Sequence, residues 1–386
     1  MAWYNSGRIS NLLSNRGNVK LRIPGPTPVP TSVLQAMSGE MINHRGPVFA
    51  KLIREITETL KHFYRTAGDV LILTSSGTGG LEASIVNTLS PGDQVLGVSI
   101  GWFGDRISDI ATAYGADVHK LEYPAGHGAD PDDISAYLRA HPETKAVLLT
   151  HNESSTGTTN PLREIAAAIH ASSNALIIVD AVSSLAAIDV RTDEWGLDVV
   201  STASQKAWAA PPGLAMVSMS ERAWAAYAHA KMPRYYWDLG EARKWFDRGQ
   251  TLATPAVSIF FALRESLRLL EIEGLDESIA RHTRVAQRAR AGIRDLGLEL
   301  FTLPDVASNT VTAVRAPAGI DGNAIVNLIR DEYDIELAGG QGPFAGKIFR
   351  IGHLGWVDEG DMDQVMEALR AGLPRLGFKL PAAVRN

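Results

Sequence analysis

Residues 162–182, LREIAAAIHASSNALIIVDAV, limit the fold more than any other stretch of the chain. A helix-period run passes through a Ser-Ser-Asn turn into Ala175-Leu176-Ile177-Ile178-Val179, apolar at every position. A strand without alternation has no solvent face. It must be covered on both sides, as in a parallel sheet with helices above and below. The same texture recurs in DVLILTSS, QVLGVSI, DVHKLEY, KAVLLTH, DVVSTAS and GLAMVSMS. Helical stretches such as GGLEASIVNTL and FGDRISDIATAYGA separate several of these strands. Ahead of them, Phe49, Leu52, Ile53, Ile56 and Leu60 mark a further amphipathic helix. The fold class is therefore α/β, with a mostly parallel sheet flanked by helices.

The helix-rich stretch from Ile259 to Gly297 reads as a long connector. Beyond it, SNTVTAVRAP, IVNLIRDEYDIEL, KIFRIGHLG and MDQVMEALRAGL suggest a small C-terminal α/β domain. We expect an N-terminal arm over residues 1–22 that packs on the body or on a partner subunit, a large domain over 23–274 and a small one over 275–386.

Composition narrows the function. A net charge of −6 over 386 residues gives no basic footprint for nucleic acid. The absence of cysteine removes disulfides, thiolate-ligated zinc and thiol nucleophiles, and fits a cytoplasmic location. No apolar run approaches the roughly 20 residues of a membrane span, and the N-terminus lacks the apolar core of a secretory signal.

In open α/β sheets ligands gather beyond the C-terminal ends of the strands, and four such ends carry chemistry here. LTSSGTGGLEAS leads from a strand into a helix whose N-terminus, around Ser76, Gly77 and Thr78, forms an anion cup. It is neither a Walker A loop nor a dinucleotide fingerprint. A tight turn capped by Thr78 is the alternative. Asp180 ends an apolar strand, where a carboxylate needs a cationic or N–H partner. HNESSTGTTNPL holds more hydroxyls than a connector requires, and no second histidine or carboxylate stands at metal-ligand spacing from His151, so no metal site is expected. Finally, in SQKAWAAPPG, Lys206 follows a strand among apolar residues that would depress an ammonium pKa. Each feature alone has a structural explanation. Together, on one sheet, they describe a pyridoxal phosphate site: a lysine for the Schiff base, an aspartate for the ring nitrogen and a helix N-terminus for the phosphate.

At this point the chain resembles the class V aminotransferases of PLP fold type I, in the alanine–glyoxylate, serine–glyoxylate and serine–pyruvate branch. The motifs that carry the resemblance are PGPTPVPTSVLQAM, MINHRGPVF, SSGTGGLEA, HNESSTGTTNPL, VDAVSSLAAIDVRTDEWGLDVV, SQKAWAAPPG, TPAVSIFFALRESL and IFRIGHLG, spanning residues 23 to about 355. The resemblance implies that Lys206 carries pyridoxal 5'-phosphate as a Schiff base and shuttles a proton, with Asp180 on the ring nitrogen. It implies that Ser76, Gly77, Thr78 and Gln205 hold the phosphate, that Ser154 lies near the ring hydroxyl, and that Phe103 stacks on the ring. Arg350 would grip the substrate carboxylate. The family's homodimers place the site at the subunit interface, so Thr254 would reach a neighbour's phosphate, while the segments holding Gly25, Asn43 and Arg45 would line the substrate entrance. Thr251 stands where some relatives have a tyrosine.

The implied function is transfer of the amino group of alanine or serine to glyoxylate or pyruvate, in ping-pong half-reactions. The alternatives are another donor (ureidoglycine, an aminophosphonate or aspartate) and a non-catalytic subunit on the same fold.

Overall fold

The computed structural model describes residues 19–381. Most of the expected N-terminal arm, residues 1–18, lies outside the described residues. Its last residues pack on the C-terminal part of the chain: Lys20–Leu21 pairs in parallel with Ile335–Glu336, and Arg22 forms an ion pair with Asp361.

The central sheet has seven strands, β1 (Asp69–Ser75), β2 (Gln94–Ser99), β3 (Asp117–Glu122), β4 (Ala146–Thr150), β5 (Leu176–Asp180), β6 (Val199–Ala203) and β7 (Gly213–Met219), in the order β1-β7-β6-β5-β4-β2-β3. The run from β6 to β3 is parallel, and β7 is antiparallel to both of its neighbours. Successive residues face opposite sides. Val147 and Leu149 of β4 therefore enter one apolar cluster, while Ala146 and Leu148 enter another on the reverse face. The unbroken apolar runs are thus explained by two cores, one on each side of a single sheet.

Helix α1 (Pro47–Tyr64) begins with proline at its first position, where no intrahelical N–H is lost. It buries Phe49, Ile53, Ile56, Leu60 and Phe63 against one core, with Leu52 half-buried at the margin. Helix α2 (Gly77–Val86) follows β1, and α3 (Trp102–Ala113) follows β2. The expected connector is two helices, α4 (Val257–Glu273) and α5 (Leu275–Asp295), broken at Gly274, whose φ of +84° lies in the region favoured by glycine. Leu275 still belongs to the core of the sheet. Val285, Ala289 and Ile293, further along α5, pack into a separate cluster with Val314, Phe349, Ile351, Met362 and Leu369. That cluster covers a small antiparallel sheet of β8 (Val311–Arg315), β10 (Ile348–Gly352) and β9 (Ala338–Gly339). Among the described residues no helix is long and apolar enough to cross a membrane.

Candidate active site

The C-terminal ends of β1, β4, β5 and β6 open on one cavity of about 280 Å³. Gly25, Ser76, Gly77, Thr78, Phe103, Ser154, Asp180, Gln205 and Lys206, singled out from the sequence, all lie on its wall.

The expected anion cup is the N-terminus of helix α2. Ser76 caps it in an extended conformation, and the helix begins at Gly77, so Thr78 lies inside the first turn rather than at the cap. The opening N–H groups of a helix have no partner within it, and Gly77 and Thr78, which carry the first of them, line the cavity. Glycine is needed for the close approach. A Cβ at Gly77 would lie 2.9 Å from Val182 Cγ2, and one at Gly80 would lie 2.6 Å from Ser201 Oγ. The helix end is therefore pressed onto the sheet.

Asp180 ends β5 and is 5% exposed. Its Oδ1 accepts the Val182 N–H at 2.9 Å, and burial pushes the carboxyl up to about 6, against the pull of that hydrogen bond. Lys206 lies three residues beyond β6, where burial lowers its amine to about 8 despite the nearby Asp180 charge. Its Nζ donates to the Pro24 carbonyl at 2.7 Å. A Cβ at Gly25 would come within 2.6 Å of that nitrogen, and the φ of +139° also favours glycine.

The loop after the lysine is an anchor. Trp208 is fully buried, donates through Nε1 to Thr202 Oγ1 at 3.1 Å and meets Phe63 edge-on at 5.7 Å. Ala207, Ala209 and Ala210 are small because this loop runs through the core. Thr27 grips it from outside, its Oγ1 donating to the Lys206 carbonyl at 2.9 Å.

Arg350 in β10 is buried, which lowers its guanidinium to about 10, partly opposed by the charge of Glu153. Its Nη1 donates to the Ser154 carbonyl at 2.8 Å and its Nε to the Gly339 carbonyl at 2.9 Å. It stands directly behind Ser154 rather than on the cavity wall. Besides Arg350, three predicted residues are not brought into the cavity. Thr254 is exposed on a separate loop, and Asn43 is exposed, holding the Arg45 N–H through its Oδ1 at 2.9 Å. Arg45 is engaged elsewhere, donating to Gln250 Oε1 and the Thr251 carbonyl, both at 2.9 Å, with its guanidinium 4.3 Å from the Trp245 ring centre. The Thr251 hydroxyl turns into its own loop, donating to the Ala253 carbonyl. His151 is buried and neutral, its ring pushed down to about 4.

Among the wall residues that the sequence reading did not single out are Arg106 and Asn152. Arg106 reaches the cavity from α3, with its guanidinium 4.7 Å from the Phe103 ring centre. The i, i+3 spacing from Phe103 was the available signal. Asn152 joins Ser183 to Ser308 and Thr310 through hydrogen bonds of 2.6–2.9 Å. Its partners are too distant in sequence to be paired by inspection.

The donor set fits pyridoxal phosphate. A glycine-lined helix N-terminus faces a buried carboxylate and a depressed lysine, and the buried Gln205 Oε1 beside them has no protein partner.

The Aminotransferase class-V family profile matches residues 20–348. The chain belongs to that family. It is a pyridoxal phosphate-dependent transaminase of PLP fold type I. It is 45% identical to the soluble hydrogenase small subunit of Synechococcus sp. (strain PCC 6716), over 93% of this chain and 94% of that one. It is 39% identical to L-aspartate–glyoxylate aminotransferase of Paracoccus denitrificans, over 86% and 85%. Against serine–glyoxylate aminotransferase of Arabidopsis thaliana the figures are 36%, 89% and 87%. The solved structure of an alanine–glyoxylate aminotransferase from Nostoc sp. superposes with a TM-score of 0.89 at 32% identity, covering 92% of this chain and 96% of that one. When bound, the cofactor supplies an aldehyde carbon that condenses with amines and a protonated ring that accepts electron density from the substrate. In such a site Asp180 would hold the proton on the ring nitrogen, and Ser76, Gly77, Thr78 and Gln205, which line the same cavity, would hold the phosphate.

Proposed function

We propose that this transaminase moves the amino group of a small amino acid, alanine or serine, to glyoxylate or pyruvate. The observation that carries the reading is the disposition of the arginines near the entrance. Arg350 has Nε and Nη1 fixed on backbone carbonyls, while its Nη2 makes no hydrogen bond among the described residues. A planar guanidinium held in this way suits one α-carboxylate. Arg45, the other candidate clamp, is spent on Gln250, Thr251 and Trp245. The names of the serine and alanine relatives agree with a small donor. Lys206 Nζ, neutral once free, takes the proton from the donor's Cα and returns it on the acceptor's side, the general-base role that its depressed pKa suits. The hydrogenase name of one relative does not transfer readily, because a chain without cysteine offers no thiolate to an iron–sulfur cluster. We also infer a homodimer, since Asn43 and Thr254 are exposed and lie outside the cavity of their own chain, where they would complete a neighbour's.

A second donor class has one observation in its favour. Arg106 reaches the cavity and makes no ion pair among the described residues. A second carboxylate could use that charge, and one relative is named for aspartate. The test is a single half-reaction: loaded protein, one donor, no acceptor, with the released 2-oxo acid quantified. We expect pyruvate from alanine or hydroxypyruvate from serine, each faster than oxaloacetate from aspartate. Faster oxaloacetate would replace the small-donor reading with the dicarboxylate one.

A further inference from the structure

Glu153 lies beside the cavity, faces away from it and is wholly buried. Its Oε2 accepts the N–H groups of Phe103 and Gly104, at 2.8 and 3.1 Å. Its Oε1 accepts the Ser155 N–H at 3.1 Å and the Ser155 hydroxyl at 2.5 Å. That hydroxyl in turn accepts the Trp102 N–H at 3.2 Å. The opening N–H groups of α3, at Trp102, Phe103 and Gly104, thus all end on residues about 50 positions away in sequence.

Helices are normally capped from the residue just before them, where serine or aspartate does the work locally. Here that residue is Gly101, and it cannot carry a side chain. A Cβ there would lie 2.7 Å from Glu153 Cγ, at a φ of +158°. A local cap has been given up for a remote, buried carboxylate, which is costly to desolvate. What the remote cap adds is a fixed link between α3 and residues 153–155. The carbonyl of Ser154, between the two capping residues, is the one that holds Arg350 Nη1 at 2.8 Å. One short segment therefore fixes both the aromatic ring on the cavity wall and the arginine behind Ser154.

We propose that Glu153 is a positioning residue that locks Phe103 and Arg350 in register, so that cofactor stacking and substrate-carboxylate binding depend on one buried carboxylate. It touches neither ligand, and its effect passes through α3 on one side and Ser154 on the other. The charge of Glu153 also opposes the burial that disfavours the charged form of Arg350.

Two variants test this, each with three readouts: amide exchange at Phe103 and Gly104, pyridoxal phosphate affinity of the cofactor-free protein, and KM for the amino donor. Glu153→Ala removes every acceptor. It is expected to speed exchange at those two amides by about tenfold or more, and to weaken both cofactor affinity and donor KM by about tenfold, the scale of one lost charge-assisted bond. Glu153→Gln keeps an oxygen for Phe103 and Gly104 and turns its NH2 toward the Ser155 hydroxyl oxygen, leaving the Ser155 N–H and hydroxyl proton without their acceptor. It is expected to restore exchange protection and cofactor affinity to within about threefold while leaving donor KM raised. Faster exchange in Glu153→Ala with unchanged affinity and KM would reduce Glu153 to a helix cap and overturn the proposal, as would unchanged exchange. If the alanine variant does not fold, Glu153→Gln decides alone: a raised donor KM supports the dependence of Arg350 on this carboxylate, and wild-type KM overturns the proposal.

Discussion

At the scale of single residues, Lys206 shows how position makes reactivity. An exposed lysine is protonated at neutral pH and is a poor nucleophile. Held against Pro24, Gly25 and Trp208's loop, this one has its amine lowered to about 8. The rate at which cofactor-free protein captures pyridoxal phosphate should therefore rise about tenfold per pH unit below 8 and level off above it, as the neutral fraction does. A stopped-flow pH series would check this, and a plateau near pH 10 would mean that burial does not act on the amine. Lys206→Ala should lose at least about a thousandfold in turnover, the usual scale for losing a positioned proton carrier. Lys206 and Asp180 were legible in the sequence because each puts a charge at the end of an apolar strand, an arrangement that asks for a partner. Arg106 and Glu153 were not. Arg106 is one polar residue on a mixed helix face, and the role of Glu153 exists only once the 152–159 segment has folded back under α3.

At the scale of elements, apolar texture revealed the strands and small residues revealed the loops, but the contacts between elements were hidden. HNESSTGTTN reads as a strand running into a hydroxyl-rich cluster, and it is more ordered than that: Asn152–Glu153 and Thr158–Thr159 form a two-stranded hairpin whose polar groups bond one another, Ser183, Ser308, Thr310 and the first N–H groups of α3. The break at Gly274 within the long connector was equally invisible to helical periodicity. The close fit of α2 to the sheet gives a prediction at this scale. Gly77→Ala gains helix propensity of up to about 1 kcal/mol, but its Cβ would lie 2.9 Å from Val182 Cγ2 and 3.3 Å from Ala203 Cβ. Overpacking of this kind costs about 1–3 kcal/mol, so the melting temperature should fall by no more than a few degrees. The helix end that faces the phosphate must shift to accommodate the methyl group, and cofactor affinity should weaken by about tenfold or more. Titration of the cofactor-free variant with pyridoxal phosphate measures this. Wild-type affinity would mean that the N–H groups of α2 are not the phosphate's main hold.

For the whole molecule, the site is a cost to the fold when the cofactor is absent, and the two principal groups set that cost in opposite directions of pH. The carboxyl of Asp180 is raised from 3.8 to about 6. Its contribution to stability is full below the unfolded value and is lost as pH climbs through 6. The amine of Lys206 is lowered from 10.5 to about 8. Its contribution is full above the unfolded value and is lost as pH falls through 8. Each displacement corresponds to about 3 kcal/mol, and the two are less than additive because the charges attract one another. Between pH 6 and 8 the cofactor-free protein therefore buries two ionised groups at a net loss, a trade of stability for function. Asp180→Asn should melt higher than wild type in this window, with the gain disappearing below about pH 4, where both carboxyls are protonated. Lys206→Met should also melt higher at pH 7, with the gain disappearing above the unfolded value of 10.5 instead, where the amine is neutral in both states. Thermal scans of the three cofactor-free proteins from about pH 3 to 11 would separate the two profiles. If both variants melted lower than wild type at pH 7, attraction between Asp180 and Lys206 would outweigh their desolvation, and the empty site would be a stabilising ion pair.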